Sequence, residues 1–135
     1  VVLVDSCGWL EFLSDGELAD FFEPYFRTMH QVVVPVVVQY ELFKWFLRER
    51  GEEVAKTVLA TSYKGAIVPL TTEIGLLAAE LSVKHRLAMA DAMILATARC
   101  QQAELITCDA HFDGIPGVRF LSKASGRGGQ DMMGS

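Results

Sequence analysis

The chain opens with VVLVDSCGWLEFL, residues 1–13. Residues 1–4 are an unbroken apolar run, the pattern of a short strand buried on both faces. From Ser6 onward the period changes, and Trp9, Leu10, Phe12 and Leu13 supply the apolar face of a helix. A buried strand passing straight into a helix is the first half of a β-α-β unit. At the junction stands one carboxylate, Asp5.

The same alternation runs outward along the chain. Asp15-Gly16 breaks the first helix, and Glu17–Arg27 carries a second helical pattern made irregular by Pro24. Gln31–Val34 predicts a second strand. The run after Pro35, VVVQYELFKWFLRER, is rich in strand-forming valines, yet its length and charged end predict a helix finishing before Gly51. Another helix is expected over Glu52–Lys64. A short strand follows over Ala66–Leu70, where Pro69 suits only an end or a sheet edge. Thr71 or Thr72 caps a helix running to about Arg86, and a further helix extends to about Gln102. Leu105–Thr107 and Val118–Leu121 complete the strands. The expected fold is α/β, a central, mainly parallel β-sheet flanked by α-helices. It occupies residues 1–122, and the Gly/Ser-rich residues 123–135 are expected to be a disordered tail.

Composition narrows the function classes. Of 135 residues, 51% are hydrophobic and 21% charged, the balance of a globular domain with a sizeable core. No segment approaches the roughly 20 apolar residues of a membrane span. The opening run lacks a basic flank and is too short for a signal peptide, so the expected location is the cytoplasm, with no membrane partner. Cys7, Cys100 and Cys108 are an odd set without a CxxC pair, which argues against a disulfide framework. Cys108 and His111 have a C-x-x-H spacing, too few ligands for a zinc site. The formal net charge of −5 means that any handling of a phosphodiester needs local basic residues or bound cations.

Four acids stand out. Asp5 and Asp109 each follow a predicted parallel strand, at the sheet edge where α/β folds bind ligands. Asp91 is the one charge in LAMADAMILATA, residues 87–98, and Glu41 is the first charge in VVVPVVVQYELF. A buried carboxylate without a partner is expensive, and several together repel one another. A hard divalent cation such as Mg²⁺ or Mn²⁺ resolves that conflict and suits phosphodiester hydrolysis. Each acid also has an ordinary reading: Asp5 as a helix cap, Asp91 in a first helical turn, Glu41 paired with Lys44, Asp109 in a turn.

The series VVLVDSCGWLEFL, QYELFKWF, LAMADAMILATA and LITCDAHFDGIPGV resembles a PIN domain of the VapC type, the toxin ribonucleases of type II toxin–antitoxin pairs. The resemblance spans Val1 to about Leu121. It implies that Asp5, Glu41, Asp91 and Asp109 hold Mg²⁺ or Mn²⁺, and that Thr107 is the active-site hydroxyl that orients a water. Ser6 matches the small polar residue after the first acid, and His111 and Asp113 are weaker candidates in a solvated turn. The implied function is metal-dependent hydrolysis of RNA, with a VapB-type antitoxin as partner and a homodimer as the assembly. The basic cluster Lys84, His85 and Arg86 precedes the Asp91 helix and is placed to steer phosphate or to end a helix. Trp9, Phe12, Phe22, Tyr25, Phe43, Trp45 and Phe46 exceed what a small core is expected to absorb; an antitoxin groove, the dimer interface and the core itself are the open uses for them.

Competing readings are weaker. A PIN-like binding module without nuclease activity would be marked by loss of an acid, and all four are present. A receiver-type phosphoacceptor wants paired acids near the first strand, and a DxD phosphatase has a second Asp where Cys7 stands.

Overall fold

In a computed structural model, residues 1–123 are described, and most of the expected tail, 124–135, lies outside them. The elements in chain order are β1 (Val2–Val4), α1 (Ser6–Leu13), α2 (Ala19–Arg27), β2 (Val32–Pro35), α3 (Val36–Glu49) and α4 (Glu52–Ser62). Then come β3 (Ala66–Val68), α5 (Thr72–His85), α6 (Met89–Cys100), β4 (Glu104–Thr107) and β5 (Val118–Phe120). Short 3₁₀ turns occupy Met29–Gln31 and Ala110–Phe112.

All strand pairs are parallel, and their order across the sheet is β3-β2-β1-β4-β5. The chain therefore winds from β1 outward to β3, then returns to the other side of β1. Where the winding reverses, connections leaving two neighbouring strands part in opposite directions and open a crevice. Here that point lies between β1 and β4, paired through Leu3 with Leu105 and Val4 with Ile106. The Asp5 N–H extends the ladder by donating to the Ile106 carbonyl at 3.3 Å.

Burial explains how the ambiguous valine run divides. Val32, Val33 and Val34 are core strand residues; beyond Pro35 the buried positions Val38, Leu42 and Phe46 recur every four residues, a helical period. Pro35 is extended (ψ 147°) and marks the change. Pro69 falls just outside β3, itself an edge strand, as a missing N–H requires. Thr71 caps α5 by accepting from the Ile74 N–H at 3.2 Å. The expected ends shift by a few residues: Gln31 joins the 3₁₀ turn, and left-handed Arg86 and Gln102 close off α5 and the turn after α6.

The aromatic excess is largely absorbed. Trp9, Phe22 and Phe46 are core residues, at most 2% exposed, which decides between core and surface groove for these three. Phe12, Tyr25, Phe43 and Trp45 are half-buried against that core. Gly8 allows α1 to sit this close: a Cβ there would lie 2.5 Å from Val4 Cγ1 and 2.7 Å from Phe22 Cε1. Among the described residues, no helix is long and apolar enough to cross a membrane.

Candidate active site

Asp5 leaves β1 and becomes the N-cap of α1, its side chain accepting from the Gly8 N–H at 3.1 Å. Capping explains why a helix can start directly at a strand end. The same carboxylate accepts from the Thr107 hydroxyl at 2.5 Å, and Cys7 Sγ lies 3.4 Å away. Asp5 is only 3% exposed. Burial pushes its carboxyl up to about 6, against the opposing effect of hydrogen bonds from Thr107, Gly8 and Cys7.

Thr107, fully buried at the end of β4, is a two-way tie. Its hydroxyl donates to Asp5 and accepts from the Asp109 N–H at 2.8 Å, so it fixes two acids at once. Asp109 then turns the chain by accepting from the His111 N–H at 2.9 Å. Beside it lies Asp91, in the first turn of α6. Burial, with the neighbouring charges of Asp109 and Glu41, pushes the Asp91 carboxyl up to about 6, while His111 acts the other way. Glu41, on α3, accepts a hydrogen bond from the Ser6 hydroxyl.

One open cleft of about 350 Å³ is lined by Asp5, Glu41, Asp91 and Asp109 together. Acids from four separate segments thus meet at the β1–β4 reversal. Lys44 does not pair with Glu41; its Nζ turns to the Tyr40 hydroxyl at 3.4 Å.

The sequence reading underrated two features. His111 is not merely in a solvated turn: its Nδ1 is 2.8 Å from Asp109 Oδ1 and 3.8 Å from Asp91 Oδ2. Its signal was its place two residues after the last acid. Cys7, given no part in the site by the sequence, has its sulfur against Cys108 Sγ (2.7 Å) and along Asp5. Conversely, Asp113 is exposed beyond the 3₁₀ turn, and neither it nor Lys84, His85 and Arg86 lines the cleft.

A family model of the PIN domain matches residues 2–118, a span containing all four acids. The chain belongs to the PIN domain family. Among solved structures, it is similar to a toxin–antitoxin complex from Klebsiella pneumoniae (26% identity, TM-score 0.72), covering 88% of this chain and 96% of that one. VapC20 of Mycobacterium tuberculosis, a sarcin-ricin loop cleaving toxin, aligns at 16% identity and TM-score 0.72 over 86% of this chain and 95% of its own. VapBC2 of Rickettsia felis, bound to a DNA fragment from its promoter, aligns at 14% and 0.72 over 90% and 97%. At such identities the last two share the fold. No curated protein matches the sequence.

PIN nucleases use divalent metals, and these side chains fit such an ion. Asp91, Asp109 and His111 each offer a ligand atom, all within 4.8 Å of one another. The donors are mostly carboxylate oxygens, the ligands a hard cation takes. The repulsion that raises Asp91 is what a cation between the acids would remove.

Proposed function

We propose that this PIN domain is a divalent-metal-dependent endoribonuclease and the toxin of a type II toxin–antitoxin pair, with Mg²⁺ or Mn²⁺ as its ion. The observation that carries this reading is the convergence of Asp5, Glu41, Asp91 and Asp109 on one open cleft. The likeness to a chain of the Klebsiella pneumoniae toxin–antitoxin complex supports the toxin assignment.

Each residue has a distinct task in this reading. Asp91 and Asp109 hold the cation from the open side of the cleft, and Asp5 faces them from the buried side. Glu41, steadied by Ser6, carries the fourth charge. When bound, the ion activates a water and offsets the charge of the phosphodiester. Thr107 is a positioning residue: with its proton on Asp5 and its oxygen under the Asp109 N–H, it keeps two acids in register. His111 holds Asp109 from the solvent side.

The partners follow the same reading. A small VapB-type antitoxin covers the cleft, where Leu10 and Trp45 add apolar surface to the acidic floor. A second copy of the chain covers the exposed Leu76, Val83 and Met89 on α5 and α6, making a homodimer.

The test is cleavage of total cellular RNA by purified, antitoxin-free protein, with Mg²⁺ or Mn²⁺ against EDTA, alongside Asp91→Asn. Cation-dependent cleavage lost in the variant supports the reading. Absence of both cleavage and metal binding in the parent overturns it.

A further inference from the structure

Nuclease chemistry leaves the cleft with an unsolved electrostatic problem. Four carboxylates line it in a chain of net charge −5, yet its substrate is a polyanion. One or two divalent ions neutralise the scissile phosphate but not its neighbours. The two cationic residues lining the cleft are Lys44 and Arg48, both exposed on α3. They lie one turn apart on the helix that carries Glu41, and Tyr40 precedes them by another turn. Tyr40, Lys44 and Arg48 thus form a row about 12 Å long, at a rise of about 1.5 Å per residue.

The row combines two recognition chemistries. Tyr40 is a large aromatic left 58% exposed beside a catalytic cleft. Lys44 is held over it, 5.6 Å from the ring centroid and 3.4 Å from its hydroxyl. Arg48 bonds the neighbouring Glu49 at 3.0 Å, an exposed pair that is worth little and yields readily to a phosphate. An aromatic face accepts an unstacked base, and flanking cations take the backbone phosphates. In A-form duplex the bases stay stacked and their faces are hidden.

We propose that Tyr40, Lys44 and Arg48 form a binding subsite for single-stranded RNA flanking the scissile phosphate. A base stacks on Tyr40, and Lys44 and Arg48 contact neighbouring phosphates. The subsite rests on the ribonuclease reading for its place beside the reacting bond, and it makes α3, rather than the Lys84–Arg86 cluster, the phosphate-binding wall.

The test measures binding separately from cleavage. A fluorescently labelled single-stranded RNA oligonucleotide is titrated in Mg²⁺ with full-length protein carrying Asp91→Asn. In that background, the Lys44→Ala/Arg48→Ala pair raises Kd by at least about tenfold and flattens the slope of log K against log salt by about 1.4, as for two lost single-strand phosphate contacts. Tyr40→Ala raises Kd about fivefold or more, the loss of one stacked base. Lys84→Ala/Arg86→Ala binds as the parent does. The subsite is overturned if the parent does not bind, if the α3 pair binds like the parent, or if the Lys84/Arg86 pair loses as much. Equal binding of duplex RNA, with Tyr40→Ala silent, overturns the stacking role. Cleavage by the unsubstituted protein is scored in parallel. Failure of cleavage with α3-dependent binding intact removes the nuclease reading alone; cleavage without α3 dependence removes the subsite alone.

Discussion

Asp5 and Asp91 face the same cleft, and burial pushes both carboxyls up to about 6, yet the protein treats them differently. Asp5 is 3% exposed and held by donors from Gly8, Thr107 and Cys7. Those bonds cap α1 and tie the ends of β1 and β4 together, so Asp5 belongs to the fold as much as to the site. Asp91 has a side chain 21% exposed and, among the described residues, only His111 within ion-pair range, at 3.8 Å. A half-buried charge with so little support costs the fold stability. On the proposed reading its return comes from a bound cation. On that reading one acid serves structure and chemistry, and the other serves chemistry alone.

The most direct way to break this contrast is Asp91→Asn. If Asp91 is held for the cation, the substitution lowers kcat/KM for RNA by at least about 100-fold, the upper range for losing only an outer-sphere support of a metal. Its Tm should stay level or rise, because an uncompensated charge is removed. A clear fall in Tm, read by differential scanning fluorimetry, would make Asp91 a structural residue like Asp5.

Metal removal sharpens the same point. Mg²⁺ or Mn²⁺ added to EDTA-treated protein should raise its stability by about 2.7 kcal/mol at a hundredfold excess over Kd. The Asp91→Asn protein should gain little. Equal gains in the two proteins would place the ion away from Asp91.

Thr107→Val probes the structural half. It keeps the shape of the side chain but leaves a buried Asp5 oxygen without its donor and the Asp109 N–H without its acceptor. The expected cost is about 1–3 kcal/mol in denaturant unfolding, with a parallel loss of cleavage. Thr107→Ser should restore most of both. A Val variant as stable as the parent would show that the tie between β1 and β4 lies elsewhere.

The contrast was only partly legible in the sequence. Asp5 and Asp109 could be placed at strand ends because VVLV and LIT are short strand-forming runs, with Asp5 directly after the first and Asp109 two residues after the second. Asp91 is placed at the same edge because its helix starts there, and Glu41 stands out as a lone carboxylate in apolar company; the sheet order that brings all four together has no such local signal. Faces of α3 were undecided: its buried positions Val38, Leu42 and Phe46 interleave with exposed Tyr40, Lys44 and Arg48 only once the sheet is in place. Core and surface stay undecided for Trp9, Phe22 and Phe46 in the sequence, because counting aromatics says nothing of the volume that five strands and six helices enclose. His111 ranks below the four acids in the sequence because a solvated turn accounts for a histidine in DAHFDG equally well; its contact with Asp109 needs the geometry of that turn.

His111 also offers the finest division between the two halves. Its Nδ1 meets Asp109 at 2.8 Å and stands farther from Asp91, so it orients one acid of the open half from the rim. With its side chain 76% exposed, His111→Ala should leave Tm within the small range usual for surface substitutions. Losing an orienting contact should reduce cleavage by less than about tenfold, the low end for outer-sphere support of a metal. The apparent affinity for Mg²⁺ should change as little, since a hard cation favours the carboxylates. A loss matching Asp91→Asn in both cleavage and Mg²⁺ stabilisation would put His111 among the ligands. The open half would then hold its ion by two carboxylates and an imidazole, and the buried Asp5 would be left mainly to the fold.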